Sequence, residues 1–118
     1  FSSSEEGNTE CLNVVDGKVK KFSTNLKVPQ IGWNQMKYQR SNIKYQKLFK
    51  KIPNKSNFYF VNSYYCQPDD KSIIAAETEY GINYCSVLTK NNITATQFHP
   101  EKSGQIGQQF IKNFIKPI

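Results

Sequence analysis

Apolar and polar positions alternate in short runs along most of this chain and change to a sustained helical period at its end. Residues 57–67, rich in Phe, Tyr and Val, have strong β character and close in the turn Pro68-Asp69-Asp70, which predicts the principal core strand. Residues 73–80, 82–88 and 93–98 are three further strands. The spacers between them, Gly81 and Lys90-Asn91-Asn92, are short enough for antiparallel hairpins. Earlier in the chain, Asp16-Gly17 predicts a turn followed by a short strand over 18–22. In Val28-Pro29-Gln30-Ile31-Gly32-Trp33-Asn34 a Pro fixes φ and a Gly tolerates unusual φ, so a structured loop or edge strand is expected. Ser41-Asn42 can cap a short basic helix through 44–51, with Leu48 and Ile52 inward and Pro53 as the stop. Ile106, Phe110, Ile111, Phe114 and Ile115 then recur at helical spacing after Ser103-Gly104, with Pro117 just past them. They predict an amphipathic helix whose stripe forms part of the core against a sheet. Strands followed by a helix make an α and β architecture with much antiparallel pairing.

Composition bounds this picture. The chain has 118 residues, the size of one ordinary domain, and 14% of them are aromatic, which argues for a packed core. Its longest apolar runs, Phe58-Tyr59-Phe60-Val61 and Ile73-Ile74-Ala75-Ala76, fall far short of the roughly 18 residues a membrane span needs, so no membrane partner is expected. The start, Phe1-Ser2-Ser3-Ser4-Glu5-Glu6, has neither an initiating Met nor the pattern of a secretory signal and reads as a cut. Cys11, Cys66 and Cys85 are widely separated and odd in number, which supports neither a zinc site nor a disulfide framework. No metal or other cofactor is expected, and free thiols fit a reducing, cytoplasmic setting.

The net charge of +7 is concentrated. Between Lys37 and Lys55 there are seven basic side chains and no acidic one, interleaved with Tyr38, Tyr45 and Phe49. Such a stripe can attract phosphate backbones or an acidic protein face, so a basic nucleic-acid-binding module is one reading. Arg40 is the only Arg, whereas bidentate reading of bases and phosphates favours Arg, and a solvated lysine face is the simpler account.

The only His lies in Thr96-Gln97-Phe98-His99-Pro100-Glu101-Lys102-Ser103-Gly104, between the last strand and the last helix. Loops at strand ends are where α/β folds place their chemistry. With Pro100 expected to keep 99–101 extended, His99 and Glu101 point the same way and can meet. Spacing alone leaves two readings: a structural pair, or a base with the carboxylate that orients it in a nucleophilic triad.

The string Gln97-Phe98-His99-Pro100-Glu101-Lys102-Ser103-Gly104 resembles the C-terminal signature of class I, triad-type glutamine amidotransferases. Within that family, 28–34 and Phe58-Tyr59-Phe60-Val61-Asn62-Ser63-Tyr64-Tyr65 resemble the glutaminase subunits of imidazole glycerol phosphate synthase, and 1–7 resembles the stretch after the nucleophile turn. The resemblance implies an α/β, flavodoxin-like mixed sheet flanked by helices, with the N-terminal strands missing and 1–118 forming the C-terminal part of a single amidotransferase domain. It implies that His99 is the general base and acid and Glu101 its orienting carboxylate. Asn62, Ser63 and Tyr64 would line the glutamine site, with Asn62 standing where the family commonly has His. Trp33, Asn34, Tyr59 and Lys102 would face a (β/α)8 cyclase subunit that takes up the ammonia in histidine biosynthesis, with no cofactor and no nucleic acid. Trp33 and Tyr59 also fit plain core or rim aromatics. The nucleophile would be a Cys on a G-x-C-x-G turn, and none of the three thiols here has those flanking glycines, so the chain alone is expected to be inactive. A paralogous subunit feeding ammonia to the amidination of surface sugars is the alternative.

Overall fold

The computed structural model describes residues 3–4, 9–10, 17–22, 26–39, 46–90 and 93–115. The described strands are β1 (Ser3–Ser4), β2 (Thr9–Glu10), β3 (Gly17–Lys21), β4 (Gln30–Met36), β5 (Ser56–Asn62), β6 (Tyr64–Pro68), β7 (Ile74–Glu79), β8 (Asn83–Lys90) and β9 (Ile93–Thr96). Helix α1 spans Gly104–Ile115, and single 3-10 turns occupy Lys71–Ile73 and Pro100–Lys102. Seven strands form one mixed sheet in the order β2-β1-β3-β6-β8-β7, with β9 also paired to β8. Only the β1/β3 pair in it is parallel. Strands β4 and β5 form a second, antiparallel pair. Reciprocal backbone bonds between Lys37 and Glu77, both 2.8 Å, join β4 to β7 and so bring the two sheets together.

The expected strands are present, with shifted ends. The single strand expected over 57–67 is divided at Ser63, so that β5 pairs with β4 while β6 crosses to β3 and β8. Antiparallel pairing of β7, β8 and β9 follows from the short spacers, with Gly81 taking φ 77° in the first turn. The segment over 28–34 resolves into the strand option, its Val28-Pro29 peptide cis.

Two expectations are corrected. Residues 46–51 are turns, not helix, and Lys51 and Lys55 take positive φ of 63° and 67°. A segment this short gains little from helical bonds, and the side chains of Phe49 and Ile52 are held instead by burial. Residues 40–45, with the expected cap and Tyr45, lie outside the described residues, as does Cys11. In α1 the core stripe is narrower than its period suggests. Phe110 is buried and Ile106 packs on the core, whereas Phe114 is 50% and Ile115 67% exposed. A crevice of about 180 Å³ lies beside this helix, lined by Thr94, Thr96, Pro100, Phe110, Ile111 and Phe114. Among the described residues α1 is the only α-helix, and no helix is long and apolar enough to cross a membrane.

The core joins the inner faces of both sheets to α1. Met36, Phe58, Phe60 and Val87 are fully buried. Phe98 stacks on Phe58 with centroids 4.2 Å apart and meets Phe110 edge-on at 5.3 Å. Two aromatics of the basic stripe belong to this core: Phe49 is buried and stacks on Tyr38 at 4.4 Å, and the Tyr38 hydroxyl donates to the Ile52 carbonyl. The Phe49 ring is thereby occupied by packing, and the half-buried Tyr38 ring is engaged on one face.

Candidate active site

His99 is placed by the core immediately before it. Phe98 is buried among Phe58, Phe60 and Phe110, so the chain leaves the core in one direction. The His99 N–H donates to the Tyr59 carbonyl at 2.9 Å, which ties the site to β5. Its own carbonyl accepts from Ser103 Oγ at 2.6 Å and from the Lys102 N–H at 3.0 Å. Ser103 is buried, and its Oγ also accepts the Tyr59 N–H at 2.9 Å. One hydroxyl therefore pins both the strand and the loop.

His99 itself is extended, at φ −103° and ψ 95°, but Pro100, Glu101 and Lys102 form a 3-10 turn, contrary to the expectation of an extended 99–101. A proline restricts the residue before it, and its own φ suits the first position of a helix. The imidazole and carboxylate still meet: His99 Nδ1 lies 3.2 Å from Glu101 Oε2. The pair is open to solvent, with side chains 39% and 60% exposed. Glu101's own backbone N–H, and then the His99 ring, hold its carboxyl below the usual carboxylate range. With Nδ1 engaged by a carboxylate, Nε2 is the ring position left to take up and deliver a proton.

Strand alternation divides the other predicted residues. On β4 and β5 the outward face carries Trp33 opposite Tyr59 and Ile31 opposite Val61. Trp33 is 58% exposed and meets Tyr59 edge-on at 5.8 Å, which makes these two rim aromatics. Lys102 is exposed beside Glu101. Asn34 faces inward with Gln30 and Asn62, away from Trp33. Its Nδ2 donates to Gln30 Oε1 at 2.7 Å and to the Glu79 carbonyl at 2.8 Å.

Gln30 is the hub of this cluster. Its Nε2 donates to Asn62 Oδ1 at 3.0 Å and to the Tyr84 hydroxyl at 2.8 Å. Asn62 in turn donates to the Tyr64 carbonyl at 3.1 Å, while the Ser63 carbonyl accepts the Phe22 N–H at 3.0 Å. Asn62, Ser63 and Tyr64 thus turn the chain from β5 into β6 with their local geometry fixed by uncharged groups.

Burial pushes the Tyr84 hydroxyl up to about 12, opposed by the Gln30 hydrogen bond. The folded state holds this proton more tightly than the unfolded chain. Its contribution to stability is intact below about pH 10 and lost as pH rises through about 12. A phenolate absorbance titration is expected to show a late-titrating tyrosine that disappears in Tyr84→Phe; an unchanged titration curve would refute it.

Ser103, Gly107, Gln30 and Tyr84 were not among the residues expected at the site. A glycine inside a helical pattern was the available signal for Gly107, because it lowers helix stability by about 1 kcal/mol relative to Ala. Two amides four residues apart in one strand, Gln30 and Asn34, are the available signal for the Gln30 cluster. Ser103→Ala leaves the part-buried Tyr59 N–H without its acceptor, and a loss of about 1 kcal/mol is expected. Urea unfolding of the full-length protein checks it; a midpoint within error of the parent would be the contrary result.

Neither described thiol is activated. Burial raises Cys66, and burial followed by the neighbouring Cys66 raises Cys85 to about 12. Catalytic cysteines poised as thiolates at neutral pH are shifted the other way. Among the described residues there is no group of three or more His, Cys, Asp or Glu able to hold a metal ion.

A glutamine-amidotransferase identity accounts for a His and carboxylate at this strand-to-helix loop, and residues 10–118 match the profile of the family "Glutamine amidotransferase class-I". The chain belongs to that family. It is 47% identical over 117 residues to the imidazole glycerol phosphate synthase subunit HisH of Dehalococcoides mccartyi strain CBDB1, an alignment covering 98% of this chain and 55% of that protein. The HisH subunits of Herpetosiphon aurantiacus and Chlorobaculum tepidum are each 46% identical to it, covering 97% and 98% of this chain and 52% and 57% of theirs. The chain spans about half the length of the curated relatives it matches.

Proposed function

We propose that these residues are the C-terminal part of one flavodoxin-like amidotransferase domain, the glutaminase subunit of a cytoplasmic imidazole glycerol phosphate synthase. In this reading the protein hydrolyses glutamine to glutamate and delivers the ammonia to a (β/α)8 cyclase in histidine biosynthesis. The observation that carries it is the His99 Nδ1 to Glu101 Oε2 contact at 3.2 Å, in a chain so similar to HisH subunits.

A cysteine thiolate attacks the side-chain carboxamide of glutamine, backbone donors hold the oxyanion, and ammonia leaves as a thioester forms. His99 protonates the leaving nitrogen and then takes a proton from the water that hydrolyses the thioester. Glu101 fixes the ring and supports its cationic form. Asn62, Ser63 and Tyr64 position the substrate. The thiol is neither Cys66 nor Cys85, since both are raised, and none of the three cysteines, Cys11 included, has flanking glycines, so the 118 residues alone are expected to show no turnover. Trp33, Tyr59 and Lys102 form the cyclase-facing surface, and Asn34, whose side chain turns inward, supports the strand that carries Trp33.

Glutamate release by the full-length protein, with and without a histidine-pathway cyclase, tests the assignment. Release that rises with the cyclase supports it, and a full-length protein that hydrolyses no glutamine in its presence overturns it. Asn62, in place of the family's common His, favours a second reading in which the acceptor is a sugar-amidinating enzyme. Stimulation by that partner and not by the cyclase would establish it.

A further inference from the structure

Two thiols from distant parts of the sequence stand directly opposite each other in the large sheet. Cys66 of β6 is the register partner of Cys85 of β8, in an antiparallel pair. Directly opposed residues of antiparallel strands project to the same face, with Cα atoms about 4.5 or 5.5 Å apart according to the type of pair. Both spacings fall inside the roughly 4.4–6.8 Å Cα separation that disulfides adopt. The same row continues to Val19 on one side of the pair and Glu77 on the other. Access is unequal: Cys66 is half-buried, whereas Cys85 is buried beside Ile73 and Leu88 and its Sγ donates weakly to the Val87 carbonyl at 3.4 Å. This gives one thiol for an incoming oxidant and a second behind it to resolve the adduct.

We propose that Cys66 and Cys85 form a thiol-modification site that accepts a low-molecular-weight disulfide such as oxidised glutathione and closes into a cross-strand disulfide. The Cys66 thiolate attacks one sulfur of the oxidant, forming a mixed disulfide and releasing one glutathione thiolate. Cys85 loses its proton to solvent and attacks the Cys66 sulfur; the Cys66–Cys85 bond forms as the mixed disulfide breaks, releasing the second glutathione. The protein thiols give up two electrons and two protons, and the glutathione disulfide takes up both. Because burial raises both thiols, closure accelerates as pH is increased.

Tryptic cleavage separates the two cysteines, since residues 56–71 carry Cys66 and 72–90 carry Cys85. The full-length protein is incubated folded with oxidised glutathione, quenched by alkylation and mapped by mass spectrometry. The expected product is a linked 56–71/72–90 peptide that dithiothreitol separates, that accumulates faster at pH 9 than at pH 7, and that is lost in Cys66→Ser. Cys85→Ala is expected to trap glutathione on the 56–71 peptide. Both thiols recovered alkylated, a mixed disulfide on Cys66 that persists in the parent protein, or Cys66 linked to another cysteine would each overturn the proposal. Mapping by peptide keeps the result independent of any reaction at the catalytic thiol.

Discussion

His99→Ala in the full-length protein is expected to lower glutamine hydrolysis by about 10²–10⁴-fold, the range that one positioned general acid–base group contributes. In the proposed mechanism the ring acts on the leaving nitrogen and the attacking water, not on the bound amide, so the effect should lie in kcat. The fold should be indifferent to it: the imidazole is partly exposed, and what holds residue 99 is its backbone, through the Tyr59 carbonyl and Ser103 Oγ. Glu101→Gln keeps the size of the side chain but removes the charge that supports the imidazolium, so it should reduce kcat as well. Glutamate release in the presence of the cyclase measures both. A His99→Ala enzyme with the parent rate would remove His99 from the chemistry, and a lost rate with a lowered melting temperature would assign it to structure.

Gly107→Ala is expected to be destabilising although it places a better helix former in α1. A Cβ there would lie 1.9 Å from the Pro100 carbonyl oxygen and 2.8 Å from Ser103 Cβ. The first obstacle is backbone, so no side-chain rotation relieves it, and α1 must move off the 3-10 turn that carries Glu101. Overpacking of this kind costs about 1–3 kcal/mol and more where the backbone cannot give, which outweighs the roughly 1 kcal/mol that Ala gains over Gly in helix propensity. The full-length protein should therefore lose several degrees of melting temperature. It should also lose glutaminase rate, since the displaced turn takes the Glu101 carboxylate from the ring. A thermal scan with an activity assay checks both, and a melting temperature equal to or above the parent's would contradict the close approach.

How much of this was legible in the sequence depends on the range of the interaction concerned. Alternation over a few residues located the strands, because a side chain on a pleated strand faces the core or the solvent by parity alone. The division at Ser63 was not visible, since both halves are equally β-prone and only the partners, β4 on one side and β3 and β8 on the other, separate them. The expected helix is absent over its described residues, 46–51, for the same reason in reverse: a local spacing is present, but Phe49 and Ile52 are drawn into a core built by β5, β8 and α1. At the site, the His99–Glu101 contact was legible although the geometry behind it was not, because the i to i+2 pairing arises from a 3-10 turn started by Pro100. Ser103 and Gln30 bond to residues 44 and 32 positions away, and no local pattern encodes such partners.

The parity of β4 has a consequence for how this segment can change over time. Gln30 and Asn34 serve the interior amide cluster, while Ile31 and Trp33 serve the outer surface, and the two sets are interleaved residue by residue. Substitutions can remodel either face while the other stays as it is. A single inserted or deleted residue before Gln30 that slipped the pairing with β5 would exchange the faces, sending an indole into the place of a buried amide and an amide to the solvent. Lineages of this segment should accordingly diverge by replacement at fixed length within β4 itself.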